Sequence, residues 1–553
     1  MTDTPKTVER SGPGSASLFL GAALLSFALF VLFNAWKPAS SDEHWFLIAA
    51  DNYARSGSLA PENLIHPPLY TLVNGSLLKI YKTPAALKLW GGALGLGSIG
   101  FMFLLGRACG AGRERSALAA LLMGFAPLFI QGSLLLDTDN TLVVFFLLAM
   151  LLALLKERWL FFCAAFLLCL WSKLTASLPI FAVFAAWGAF DSFRGRRRGA
   201  LLLASLAAGL ALFLISFASF CAVSGLPFGM PFDYIYATLF SKRISGGGGG
   251  VALQVLQFSL WAGLPFCFLW LTAAAAAGRG NSLDRLALLF SAVIGAGYFF
   301  LGGTPFGFPK FQVPAFALGC WLVSGPVAES VGSLRKERAL AAGCFLAGTA
   351  AVAAAGDPLY TLRFLVRGAL SAGQGAGGHI AALAAQGALP AALAAVFWFL
   401  LRKTVVPAGR RVIVSAGLAC FCQFTGMDLL QVRPHNTLYA YGATGILETT
   451  ALAGAELGEG GKAALPLEIA GYLRLKGSDI KTTPDKFWSD PEVLKAAVSD
   501  PDCRAIIYGI PFNTIGQIKV LTGADMAAAL AAGGWSKKTS GSYQVWTRRG
   551  GEK

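Results

Sequence analysis

Residues 41–70, SDEHWFLIAADNYARSGSLAPENLIHPPLY, form a polar island directly after a first hydrophobic run. Two adjacent carboxylates, Asp42 and Glu43, open it, and His66-Pro67-Pro68-Leu69 closes it. Charged groups placed where a chain leaves an apolar segment predict a site at a membrane surface, because they are costly there unless they face a cavity. Inside the island Trp45, Phe46, Ile48, Ala49, Tyr53 and Ala54 recur at helical spacing. That spacing predicts an amphipathic helix lying on the bilayer, with a second one over 68–81.

The 553 residues are 56% hydrophobic and 13% charged, with a mean hydropathy of +0.62, which excludes a soluble enzyme. Apolar runs occupy 16–36, 85–107, 118–136, 141–155, 159–171, 174–190, 201–223, 251–277, 286–301, 311–327, 340–355, 380–401 and 412–430. They predict about thirteen crossings of the hydrocarbon. Basic residues gather at alternate turns: Arg107, Arg113 and Arg115; Lys156 and Arg158; Arg194, Arg196, Arg197 and Arg198; Arg335, Lys336 and Arg338. This bias puts residues 1–15 in the cytoplasm and a tail, 431–553, outside a cell inner membrane. The net charge of +16 is spread over these turns instead of forming one patch, so topology explains it and nucleic acid is not expected.

The first run lacks a small-residue cleavage site and is expected to be a retained helix. The ten cysteines lie almost all in apolar runs, with no disulfide or zinc spacing. In the tail, short apolar runs predict strands over 465–470, 505–510 and 543–546, with helices over 491–498 and 524–532. The fold expected is an all-α polytopic membrane domain, 16–430, containing a catalytic first outer loop at 37–84 and followed by a small extracytoplasmic α/β domain.

The chemistry gathers on the outward turns. Asp42, Glu43, His66, Asp137, Asp139, Lys173, Lys310 and Arg433 all fall there, whereas the inward turns hold arginines and lysines that orientation alone explains. A carboxylate can take the proton of an attacking hydroxyl, and fixed cations stabilise the charge that grows on a departing phosphate. The plainer alternatives are a solvated acid pair at Asp42 and Glu43, and lysines that merely snorkel. Gly95-Leu96-Gly97-Ser98-Ile99-Gly100 matches a dinucleotide fingerprint in form, but it lies within an apolar run and predicts close helix packing. No cofactor is demanded; a divalent metal is compatible with the pattern without being required by it. A multi-span transporter or lipid flippase is the alternative class, although no paired halves are evident.

At these residues the sequence resembles the dolichyl-phosphate-mannose protein mannosyltransferase superfamily, including its bacterial aminoarabinose transferase branch. The resemblance rests on Asp42-Glu43, His66-Pro67-Pro68-Leu69, Asp139 with Thr141-Leu142, Trp171-Ser172-Lys173-Leu174-Thr175 and Lys310-Phe311-Gln312-Val313-Pro314. It implies a glycosyltransferase-C fold and an inverting transfer from a polyprenyl-phosphate sugar donor to a protein, lipid or polysaccharide acceptor. Asp42 takes the place of the catalytic base and Asp139 that of the second outer acid. Two departures stand out. Ile65-His66-Pro67 replaces Glu-Lys-Pro of the aminoarabinose branch, and Lys310-Phe311 replaces Arg-Tyr, which keeps the charge and loses the bidentate fork.

Overall fold

A computed structural model describes residues 14–36, 43–59, 66–240, 264–278, 280–301, 310–334, 445–458, 461–477, 481–482, 491–508, 534–540 and 543–548, with Phe258, Ala262, Ala528 and Leu530. Asp42, Arg433 and the expected crossings at 340–355, 380–401 and 412–430 lie outside the described residues.

The first helix is α1, Gly14–Asn34, where the sequence predicts the first crossing; its apolar part, Phe19–Leu32, is shorter than a full span. Two short helices follow where the sequence predicts amphipathic segments: α2, Glu43–Ser56, and α3, Leu69–Ile80. Then come α4, Pro84–Ala108; α5, Arg113–Gly124; α6, Pro127–Leu134; α7, Val144–Leu155; α8, Trp159–Ser172; α9, Leu174–Phe193; and α10, Arg197–Ser224. The series continues with α11, Met230–Phe240; α12, Leu264–Ala277; α13, Ser282–Leu301; and α14, Val313–Leu334. Among the described residues, four helices are long and apolar enough to cross a membrane: Pro84–Ala108, Leu174–Phe193, Arg197–Ser224 and Lys310–Ala328.

The crossing expected over 118–136 is broken. Its two halves, Arg113–Gly124 and Leu128–Leu134, meet at 60°. Pro127 at the start of α6 supplies the cause, since it has no N–H to continue the ladder and holds Ala126 extended at φ −73, ψ 121. The bend brings the residues after α6 to the start of α2, where the Leu136 amide donates to Glu43.

Burial separates the helices into inner and outer ones. The apolar window of Lys310–Ala328 is 72% buried and that of Arg197–Ser224 is 33% buried, so α14 is central and α10 faces lipid. Against α14, Asp284 ties three helices: Arg115 of α5 and the Trp321 indole N–H of α14 (2.8 Å) both donate to its Oδ1. The glycine run of α4 serves packing. A Cβ at Gly95 would lie 2.4 Å from the Phe27 ring, and one at Gly91 would lie 2.4 Å from the Ser133 carbonyl oxygen, so α4 sits directly on α1 and α6.

The tail opens with α15, Ile446–Leu457, and contains a mixed five-stranded sheet in the order β2-β1-β3-β5-β4. Its strands are β1, Lys462–Ala464; β2, Lys481–Thr482; β3, Cys503–Tyr508; β4, Trp535–Ser540; and β5, Tyr543–Arg548. β1 pairs in parallel with β2 and β3, while β5 pairs antiparallel with β3 and β4. The strand predicted over 465–470 is instead a loop leading into α16, Leu467–Leu475, because Ile469, Ala470 and Leu473 pack as a helix face on α2 and α15. The helix α17, Pro491–Ser499, lies where the sequence predicts one. One apolar cluster joins Leu47 and Ala50 of α2 and Leu87 of α4 to Ile469, Leu473 and Val545 of the tail.

Candidate active site

Glu43, the first residue of α2, is 2% exposed. Its Oε1 accepts the amide N–H of Leu136 at 3.0 Å and lies 3.7 Å from Nζ of Lys88, a lysine with no exposed surface. Lys88 sits one turn into α4, whose start is fixed by Pro84 and by the Thr83 hydroxyl accepting from the Ala85 amide at 3.3 Å. A buried charge of either sign is very costly alone, so each holds the other in place.

The residue after Leu136 carries the next pair. Asp137, also 2% exposed, accepts from Nζ of Lys310 at 2.8 Å. Lys310 and Phe311 belong to a short 3₁₀ helix, Lys310–Gln312, that leads into α14. Nζ of Lys173 lies 4.9 Å from the centre of the Phe311 ring and Nζ of Lys310 lies 5.4 Å from it, within cation–π range. The ring is stacked on Tyr298 of α13 at 5.0 Å and 12°. The Tyr298 hydroxyl in turn donates to the Thr175 carbonyl at 3.4 Å in the first turn of α9. Two ammonium groups from distant parts of the chain are thus gathered at one aromatic ring.

Asp137 also precedes an irregular turn. Asp139–Val143 is a π-helix, with the Val143 amide donating to the Thr138 carbonyl at 3.1 Å and the Thr141 hydroxyl to the Asp137 carbonyl at 2.7 Å. Such bulges widen a helix and recur at functional sites. Asp139 opens this turn; its side chain, like Asp42 and Arg433, lies outside the described residues. The Asn140 amide and the Thr138 hydroxyl are buried there with no hydrogen-bond partner among the described residues.

Sequence reasoning missed Lys88, Asn140, Tyr70 and Tyr298. Tyr70 of α3 is buried edge-to-face against Phe46 at 5.2 Å. Burial above all, then the charges of Asp137 and Glu43, push its hydroxyl far above the ordinary tyrosine range, so it stays a donor. His66 is buried and meets Tyr234 of α11 edge-to-face at 5.3 Å. Among the described residues no three His, Cys, Asp or Glu side chains stand close enough to hold a metal ion.

No family model matches the chain, and no curated protein matches it by sequence. Solved structures do match. ArnT from Cupriavidus metallidurans bound to undecaprenyl phosphate aligns over 97% of this chain and 98% of its own, at 14% identity and a TM-score of 0.54. ArnT from the same organism in the apo state aligns over 96% of this chain and 97% of its own, at 15% identity and a TM-score of 0.56. Identity this low speaks to the fold, and the overlap runs nearly the full length of both chains. The protein is built on an ArnT-like fold, over nearly the full length of the chain.

Proposed function

We propose that this protein is an integral membrane glycosyltransferase that moves a sugar from a polyprenyl-phosphate donor to an acceptor hydroxyl. The observation that carries the reading is the pair of linked ion pairs: Glu43–Lys88 and Asp137–Lys310 meet through consecutive residues 136 and 137, beside a third ammonium, Lys173. That arrangement suits a reaction in which negative charge grows on a phosphate at membrane depth.

The roles follow from what each group is already doing. Glu43 is committed to Lys88 and the Leu136 amide, so it anchors the start of α2 and leaves its covalent neighbour Asp42 as the base. In the transfer the acceptor oxygen bonds to the anomeric carbon from the face opposite the leaving group. The bond from that carbon to the phosphate oxygen breaks with its electron pair going to the phosphate, and the hydroxyl proton passes to Asp42. Lys173 and Lys310 hold the phosphate as its charge rises, with His66 and Arg433 as further phosphate contacts. Asp139, Asn140 and Thr138 orient the sugar or the acceptor.

An apolar cavity of about 370 Å³, lined by Phe266, Trp270, Gly295, Gln312, Phe316 and Gly319, lies beside the Lys310–Gln312 turn and would take the first part of the polyprenyl chain. In this reading the active face is the outer face of the cell inner membrane. Residues 1–15 are cytoplasmic and residues 431–553 form the extracytoplasmic domain.

The test is transfer of label from a radiolabelled polyprenyl-phosphate sugar to membrane extract by the purified protein. Asp42→Asn is expected to lower the rate by roughly 10²–10⁴, the range for loss of a general base. Equal rates would remove Asp42 from the mechanism, and absence of any transfer by the unaltered chain across a panel of such donors would remove the donor class.

A further inference from the structure

A second charged feature lies at the far end of the spans from the lysine cluster. α8 climbs from the turn at 156–158 to Lys173, and α9 returns over 20 residues to Arg194, about 30 Å at the helical rise. At this end Glu157, Arg196, Arg197, Arg198 and Leu201 line a recess of about 630 Å³.

A basic turn alone is what membrane orientation requires, and on that ground it would carry no site. Three observations go further. The first is fixation: Asp191, 1% exposed, accepts from Nη1 of Arg196 at 3.0 Å and from Nε of Arg198 at 2.7 Å, which holds both guanidiniums in set positions. Topogenic charges have no need of such anchoring.

The second is backbone construction. Gly195 turns the chain at φ +70, and a Cβ on Gly199 would lie 2.4 Å from the Ser192 nitrogen and 2.5 Å from the Gly188 oxygen. α9 and α10 therefore touch backbone to backbone just where Arg196–Arg198 leave the turn. The third is apolar exposure on the helices that meet these turns: Leu160 and Phe161, in the first turn of α8, and Phe193, at the end of α9, are 87%, 72% and 94% exposed. Large apolar side chains that open are at home among acyl chains.

The charges of the two turns are Lys156, Arg158, Arg194, Arg196, Arg197 and Arg198 against Glu157 and Asp191, leaving a clear positive excess. No carboxylate among the described residues pairs with Arg197. We infer that this recess binds the phosphodiester headgroup of an anionic phospholipid from the surrounding leaflet, with the acyl chains lying along Leu160, Phe161 and Phe193. Guanidiniums match phosphate oxygens two at a time, and basic pockets between membrane helices favour such headgroups. Glu157 at the recess opposes the ligand and sets its affinity below the maximum. This site is independent of whether the chain transfers a sugar.

The test uses the full chain purified in neutral detergent, with lipid retention read by native mass spectrometry. Added cardiolipin and phosphatidylglycerol are expected to remain bound where phosphatidylcholine does not. Arg197→Ala, which leaves the Asp191 clamp intact, is expected to lower retention about fivefold, the contribution of one basic residue near an anionic headgroup. Glu157→Gln is expected to raise it. Equal retention of phosphatidylcholine, or unchanged retention in Arg197→Ala with an unchanged melting temperature, overturns the inference. Displacement of cardiolipin by an equal concentration of inorganic phosphate overturns the assignment to a lipid.

Discussion

Lys88 has no exposed surface, and its partner Glu43 has almost none. Removing one member strands the other as a buried unpaired charge, which typically costs about 3–5 kcal/mol, whereas removing both with shape retained costs far less. Lys88→Met and Glu43→Gln are each expected to lower the melting temperature of the detergent-purified protein sharply. The double variant is expected to recover much of the loss, and additive losses would show that the pair does not act as a unit. Glu43 was legible in the sequence because it stands outside an apolar run. Lys88 was not, since a single lysine near the start of a span looks like one that snorkels to the interface. The signal was present in its placement a full turn inside α4, where an ionisable residue asks for a partner.

At the level of elements, a second contact on the start of α2, besides that of Glu43, comes from the tail. Gly471 of α16 approaches α2 so closely that a Cβ would lie 3.0 Å from Nδ1 of His44 and 3.7 Å from Cδ2 of Leu47. Glycine inside a helix costs about 1 kcal/mol against alanine, so it is kept here for the close approach. Gly471→Leu is expected to push α16 off α2 and to speed amide hydrogen exchange in Glu43–Ser56 at least tenfold, leaving Cys503–Tyr508 unchanged. Unaltered exchange in α2 would mean that the tail does not hold it. The helices α2 and α3 and the spans of α4, α9, α10 and α14 could be read from periodicity and length. The break at Pro127 could not, because an apolar run continues unbroken through it, and neither could α16, whose short apolar stretch has no period of its own.

Across the whole molecule, transferase and flippase readings differ in what lies beneath the lysine cluster. A flippase needs a polar route to the other face, with coupling groups near the midplane. Here Phe27, Ile99, Met102, Phe129, Leu147 and Trp321 fill the space between the inner helices, each fully buried. The serine hydroxyls among them are used locally: Ser98, Ser133 and Ser177 each donate to a carbonyl one turn back in the chain, Leu94, Phe129 and Lys173. Hydroxyls spent in this way line no path. The ion pairs that could bind an anion stand at one end, and the basic recess at the other end is separated from them by the length of α9. Proteoliposomes carrying a fluorescent polyprenyl phosphate in both leaflets, quenched from outside by a membrane-impermeant reductant, are therefore expected to lose only the outer-leaflet signal. The inner fraction should decay no faster than in protein-free vesicles, and protein-dependent loss of it would show a transbilayer route that the packing among the described residues does not contain.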